Sequence, residues 1–250
     1  NMNHYTLLAL SIMKFLIYAA GKNRRFNNTL NGKPKGLKSV GDKMLIEYGL
    51  SWMVNYNPTE IIIVVGYKKE LFKAILGESY KGVPIKYIYN KYYNLHGNMS
   101  SLWVARDYCD EDTVFTVSDL ICNKNNIDTF MSNSASSKIL IDTNKQLFSD
   151  PDPVKVKIFD GKINFILKKI QTEEVDGVAI GIYMFSKEMM GLLLNKIETY
   201  FKDDNYNLSL YYAINDLVQH HPVQPVYCDG SHWCDVDTPK ELEMLNTVLE

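Results

Sequence analysis

The chain is 250 residues long, 46% hydrophobic and 22% charged, with 27 lysines and arginines against 29 aspartates and glutamates. A net charge of −2 argues against a protein that coats nucleic acid, because such binding rests on many phosphate neutralisations. Four scattered cysteines include no Cys-x-x-Cys pair, so a zinc or dithiol motif has little support; with no export signal, a reducing, cytoplasmic setting is expected.

Residues 1–12 read as an N-terminal appendage, with Met13 as a natural start, and residues 13–250 as a single domain. The apolar run Tyr5 to Ala20 is not read as a leader: no lysine or arginine precedes it and Lys14 interrupts it. It is also short for a membrane span. Phe15–Ala20 reads as the first buried strand, ending abruptly in Ala-Ala-Gly. A loop carrying Lys22, Arg24, Arg25, Lys33, Lys35 and Lys38 follows.

Further along, Met44–Tyr56 spaces Leu45, Tyr48 and Trp52 as a helix does. Ile61–Tyr67 is a strand apolar on both faces, as a buried parallel strand must be. Helical patterns in KKELFKAILGES and MSSLWVARDY alternate with strands at Ile85–Asn90 and Val114–Asp119. That alternation predicts an α/β fold, Rossmann-like, with a mostly parallel sheet flanked by helices.

The middle changes character. Lys138–Asp142, Val154–Phe159, Ile163–Ile170 and Val178–Ser186 read as consecutive strands, with Asp160-Gly161 turning a hairpin. Residues 138–186 are therefore expected to form a β-rich, antiparallel insertion or sheet extension. Helices at Lys187–Phe201 and Leu208–His221, a strand at Val223–Cys228 and a helix at Pro239–Leu249 close the chain. His220 and His221 fall at a helix end, where positive charge is favoured, and read as that rather than as metal ligands. His96, beside Gly97 and Asn98, is the histidine more apt to meet a ligand.

Parallel sheets bind ligands at the carboxyl ends of their strands. Gly21 lets the chain turn closely there, and backbone amides and cations after it suit phosphate oxygens. Arg25 and Lys35 are placed to hold a triphosphate from two sides. The spacing fits neither a Walker A loop nor Gly-x-Gly-x-x-Gly, since the next glycine is Gly32. Two acidic segments supply the counterpart. Asp119 ends a strand, and Asp235 and Asp237 lie two apart, so an extended backbone turns them the same way. Carboxylates beside a polyphosphate commonly share a hard cation such as Mg²⁺. Thr238-Pro239 also reads as a helix start, with Thr238 as N-cap.

Three stretches in order, YAAGKNRRF…KPKGL…VGDKMLIEY, VSDLI and WCDVDTPKEL, resemble the signature of the sugar-nucleotidyltransferase superfamily. The resemblance runs from about Lys14 to the C-terminus. Within that superfamily the chain looks most like small CTP-dependent cytidylyltransferases of the phosphocholine type. YNLHGNMSSLWVARDY is similar to their Asn-x-x-Ser region. Asn23 stands where a second glycine is usual, Met44 where a proline is, and Ser118 before the strand-end aspartate. Asn tolerates left-handed backbone well enough to make the first of these a workable exchange.

The resemblance implies an Mg²⁺-dependent enzyme in which Arg25 and Lys35 are catalytic and Asp119, Asp235 and Asp237 form the metal set. It implies a nucleotide site of Ala19, Ala20, Gly21, Lys22, Asn23, Asn98, Ser100 and Ser101. An acceptor site would contain Lys168, Tyr183 and Trp233. The implied reaction joins CTP to a small phosphorylated or phosphonate acceptor with release of pyrophosphate, for decoration of a cell surface or capsule.

The acceptor stays open: phosphocholine, aminoethylphosphonate, an amidophosphate such as phosphorylated glutamine, or a sugar 1-phosphate. Trp103, Trp233, Tyr183 and Tyr206 offer aromatic surface for a quaternary ammonium, although Trp103 fits a core position better. Glu173, Glu174 and Asp176 are the alternative, for an amino group. A sugar-phosphate transferase using UTP, GTP or dTTP and a non-catalytic nucleotide-binding relative are the other readings. Partners are expected to be small molecules, not nucleic acid or membrane, with a homodimer left open.

Overall fold

The computed structural model describes residues 13–22, 26, 32–95, 97–228, 233–241 and 245. Among these, the elements in chain order begin with β1 (Met13–Ala19), the short β2 (Ser39–Val40) and β3 (Lys43–Met44), α1 (Leu45–Met53) and β4 (Ile61–Val65). Next come α2 (Lys69–Leu76), β5 (Ser79–Tyr80), β6 (Val83–Tyr89), α3 (Met99–Val104), β7 (Asp112–Val117), β8 (Leu120–Cys122) and α4 (Lys124–Ser132). The later part holds β9 (Lys138–Asp142), β10 (Val154–Phe159), β11 (Lys162–Leu167) and β12 (Gly177–Phe185). It ends with α5 (Lys187–Lys202), α6 (Leu210–Val218), β13 (Gln224–Tyr227) and β14 (Trp233–Asp235).

β1 is central because it is apolar on both sides. Phe15 and Ile17 face one core with Ile61, Ile63 and Val114, while Leu16 faces the other with Ile62, Val64 and Phe115. It pairs in parallel with β4 on one edge and β7 on the other, and β4 pairs in parallel with β6. The chain thus builds outward from β1 through β4 to β6, then returns across the sheet to β7. That reversal leaves a crevice at the carboxyl ends of β1 and β7, where such sheets bind ligands.

The antiparallel part joins at β7. β12 runs antiparallel to β7, β10 to β12, and β11 to β10, while β9 pairs antiparallel with β12 and parallel with β13. The predicted Asp160-Gly161 turn connects β10 to β11, both residues having positive φ. Between Ala179 and Tyr183 the β12–β9 register shifts, and Gly181 adopts φ 100° there, a conformation other residues rarely hold. This break lies beside the carboxyl end of β7, where Ile182 pairs with Thr116.

Most predicted strands and helices are present within a few residues. α6 is shorter than expected, and the amides of both His220 and His221 bond to Leu217 O just beyond its end, as their helix-end reading required. Sequence patterning missed α4, whose buried surface comes only from Asn126, Ile127 and Phe130; Asn123 Oδ1 caps it by accepting from Asn126 N at 2.9 Å. The expected C-terminal helix lies mostly outside the described residues. No helix among the described residues is long and apolar enough to cross a membrane. None of the four cysteines is in a disulfide.

Candidate active site

Two distant acidic segments meet because β8 and β14 form a small antiparallel sheet, with Asp235 opposite Leu120. Ser118 N donates to Tyr18 O at 3.0 Å, carrying the β1–β7 pairing to the strand end, and Val236 N donates to Asp119 O at 3.1 Å. As a result, Asp119, Asp235 and Asp237 each bring a carboxylate oxygen within 4.8 Å of the others.

Lys35 enters this cluster from the turn that begins after Pro34. It is 5% exposed, ion-paired with Asp119 and 2.8 Å from Asp237 Oδ1. Burial, the largest single influence, lowers the Lys35 pKa, but the two carboxylates outweigh it and the net direction is up. Burial raises Asp119 against the opposing pull of Lys35. Asp235 is pushed up to about 8, first by burial of its carboxyl and then by the charges of Asp119 and Asp237. Three converging carboxylates held by one cation have the donor set of a hard divalent ion, and oxygen ligands of this kind suit Mg²⁺. Thr238 caps the following turn as expected: Glu241 N donates to Thr238 Oγ1 at 3.3 Å, and Glu241 Oε2 accepts from Asp237 N and Thr238 N at 2.7 Å each.

Two adjoining cavities flank the cluster. The smaller, about 260 Å³, is lined by Ala19, Ala20 and Gly21 from the end of β1, by Ser118 and Asp119, and by Asn98, Ser100 and Ser101 around the start of α3. Its polar wall is organised by Asn90, which sequence reasoning missed. Asn90 Oδ1 accepts from Tyr92 N at 2.9 Å, which turns Nδ2 toward Ser100 Oγ and Ser101 Oγ at 3.0 and 3.2 Å. Ser100 Oγ in turn donates to Gly97 O at 2.8 Å. Lys22 is exposed beyond Gly21 and is not among the residues lining either cavity. Asn23, Arg25 and His96 lie outside the described residues.

The larger cavity, about 480 Å³, opens on Asp235 and Asp237. Its floor is a ladder of rings on three neighbouring strands. Phe115 stacks on Tyr183 at 5.0 Å and 4°, and Tyr18 tilts against Phe115 at 6.0 Å. Tyr18 Oη is buried without a hydrogen-bond partner. The Tyr183 hydroxyl is pushed well above its ordinary pKa by burial, then by Asp235. Trp233 forms a wall, its Nε1 donating to Asp142 Oδ2 at 2.7 Å. Lys168 also lines the cavity, 3.0 Å from Asp152 Oδ1.

The structure therefore brings Lys168, Tyr183 and Trp233 to one cavity. Trp103 packs edge-on against Phe201 and Tyr206 tilts onto the same ring, so both belong to another part of the fold. Glu173, Glu174 and Asp176 line neither cavity; Glu174 pairs with Lys157 and Asp176 accepts from Ile158 N.

The chain has known relatives. Over 113 residues the chain is 32% identical to the UTP--glucose-1-phosphate uridylyltransferase AglF of Haloferax volcanii, covering 45% of this chain and 46% of that protein. Over 109 residues it is 25% identical to the CMP-5'-(3-aminopropyl)phosphonate synthase of Streptomyces rubellomurinus, covering 44% of this chain and 17% of that protein. The matched stretch thus spans less than half of either relative. It is 22% identical to the CTP:phosphoglutamine cytidylyltransferase of Campylobacter jejuni, covering 93% of this chain and 98% of that one. The fold is that of the solved CTP:phosphocholine cytidylyltransferase LicC from Streptococcus pneumoniae, with TM-score 0.77, 20% identity, and 95% and 99% of the two chains covered. The description "Nucleotidyl transferase" matches residues 14–250, and with that span the chain belongs to the nucleotidyl transferase family.

Proposed function

We propose that this protein is a cytidylyltransferase that joins CTP to a small phosphorylated or phosphonate acceptor carrying a cationic group, releasing pyrophosphate. The observation that carries this reading is the larger cavity. Among the described residues its lining includes, beside Asp235 and Asp237 of the metal set, four further carboxylates (Asp142, Asp150, Asp152 and Glu241) and one lysine, Lys168, over an aromatic floor. Negative charge and ring faces favour a cation. Sugar hydroxyls also donate to carboxylates, so the assay below separates a cationic acceptor from a sugar. Phosphocholine, aminoethylphosphonate and a phosphorylated glutamine each place a phosphorus group at one end and a nitrogen group at the other.

In this reading the nucleotide occupies the smaller cavity, with its phosphates toward Gly21 and the loop holding Arg25. An acceptor oxygen attacks the α-phosphorus, and the bond from that phosphorus to the bridging oxygen of the β-phosphate breaks. The nucleophile is already an anion, so the protein needs no strong base; it must hold two anions together and in line. Lys35 and Arg25 offset the charge that develops on the phosphates. Lys168 meets the acceptor phosphate. Asp119, Asp235 and Asp237 would hold Mg²⁺, which supplies further charge neutralisation when bound. The product would feed decoration of a cell surface or capsule from the cytoplasm.

A sugar-1-phosphate transferase is the second reading, favoured by the 32% identity to AglF. Pyrophosphate release from CTP, UTP, GTP, ATP and dTTP, each against phosphocholine, aminoethylphosphonate, phosphorylated glutamine and sugar 1-phosphates, separates the two. Release with CTP and one cationic acceptor, abolished by Asp119→Ala, is expected. Release only with a sugar phosphate would replace this reading with the second.

A further inference from the structure

The N-terminus of α6 is capped from across the chain. Ser209, its N-cap residue, makes no side-chain capping bond. Instead Asn98 Oδ1, 112 residues earlier, accepts from Leu210 N at 2.7 Å. Asn98 gives its own helix, α3, no side-chain cap. The residue beside it seals the same junction. Gly97 N donates to Tyr206 O at 3.0 Å, and a Cβ on Gly97 would lie 2.2 Å from Leu208 O. Only glycine permits that approach of two backbones.

This junction joins the two cavities. Gly97, Asn98, Ser100 and Ser101 line the smaller one, whereas Leu210, Tyr211 and Ile214 of α6 line the larger. Asn98 lines both. A ligand that fixes the start of α3 therefore also fixes Asn98 Oδ1, the side-chain acceptor of the first amide of α6.

We propose that Asn98 is a positioning residue that couples the cavities: occupancy of the smaller one holds its cap on α6 and so orders Tyr211 and Leu210 for the acceptor. The coupling rests on the assignment of nucleotide to the smaller cavity. Acceptor then binds more tightly after nucleotide, and by linkage nucleotide binds more tightly after acceptor, by the same factor.

Amide hydrogen exchange tests this on the whole protein. In the free protein, Asn98→Ala should speed exchange at residues 210–213 about fivefold, the effect of losing one helix cap, and Asn98→Asp, which keeps an acceptor oxygen, should restore it. In the wild type, a nucleoside triphosphate that protects residues 97–101 should also protect 210–213, and this second protection should vanish in Asn98→Ala. The acceptor KM should rise in Asn98→Ala by more than the nucleotide KM. Protection confined to 97–101 in the wild type would overturn the coupling, with no variant needed. So would an Asn98→Ala protein that loses nucleotide affinity while exchange at 210–213 is unchanged, since Asn98 would then act on nucleotide alone. If none of CTP, UTP, GTP, ATP and dTTP protects 97–101, the nucleotide assignment falls and the coupling with it, and the cap is still decided by exchange in the free variants.

Discussion

Lys35 Nζ lies 2.8 Å from Asp237 Oδ1, a residue 202 positions further along the chain, and the same nitrogen is ion-paired with Asp119. One lysine thus closes the circuit between the start of the sheet, the end of β7 and the last strand described. Breaking a buried pair by removing one partner leaves an uncompensated charge and typically costs about 3–5 kcal/mol. Lys35→Met should therefore lower the melting temperature. It should also lower the rate of pyrophosphate release by about 10²–10³-fold, as expected for loss of one transition-state charge stabiliser. Melting with and without Mg²⁺ or Mn²⁺ separates the two effects. A divalent ion should return part of the lost stability to Lys35→Met and leave the rate low. A variant as stable and active as the wild type would remove Lys35 from the site.

Trp233 offers a cleaner probe of the larger cavity: its ring packs against the Phe148, Val175 and Val178 cluster and its Nε1 donates to Asp142. Trp233→Ala removes the ring and should raise the acceptor KM about tenfold, the order expected for a lost cation–π wall, with the nucleotide KM changed less than twofold. Trp233→Phe keeps a ring but loses the Nε1 donor and should fall between. Equal effects on both substrates would mean that the cavity does not belong to the acceptor.

Lys138 carries a stability prediction independent of the site. It is buried beneath the Phe130 ring, its Nζ bonded to Asn133 O, and burial lowers its pKa to about 8. The ordinary value is near 10.5. A lowered lysine pKa means the folded state binds fewer protons than the unfolded one between those limits, so this residue's contribution to stability rises with pH there. Below pH 8 the folded state bears the full cost of burying the charge, roughly 2–4 kcal/mol. Lys138→Met should be more stable than the wild type at pH 7. The gap should narrow from pH 8 to 10.5. A gap independent of pH would show that the amine titrates alike in the folded and unfolded states.

The parallel half of the sheet was legible because its strands are uninterrupted apolar runs. Ile61–Val65 admits hardly any other reading. Asp119, Asp235 and Asp237 were legible as a set because the first ends a strand pattern and the other two stand two apart before a helix start; that Lys35 sits among them was not, since sequence cannot reveal a contact across 202 residues. Lys35 was expected on the triphosphate, and the fold gives it two carboxylates as well. α4 escaped notice because Asn123, Asn125 and Asn126 dilute its apolar stripe. Tyr18, Phe115 and Asp142 escaped for the opposite reason: each reads as an ordinary strand residue, and only the pairing of β1, β7, β12 and β9 assembles them into a cavity.

Asn90 gives the sharpest test of the smaller cavity. It is 1% exposed, and its amide side chain is spent on Tyr92 N and the two serine hydroxyls. Ser100 Oγ donates to Gly97 O, whereas among the described residues the Ser101 hydroxyl accepts from Asn90 Nδ2 and has no acceptor for its own proton. Ser101→Ala should then weaken nucleotide binding about tenfold, within the range for one lost hydrogen bond in a desolvated pocket, and leave the melting temperature nearly unchanged. Asn90→Leu strands Tyr92 N and loosens both serines, so it should lower the nucleotide affinity and the melting temperature together. Binding of CTP and UTP to both variants, read by calorimetry, checks this directly. If Ser101→Ala bound nucleotide as the wild type does, the hydroxyl would be structural and the nucleotide would have to be read by other groups of that cavity.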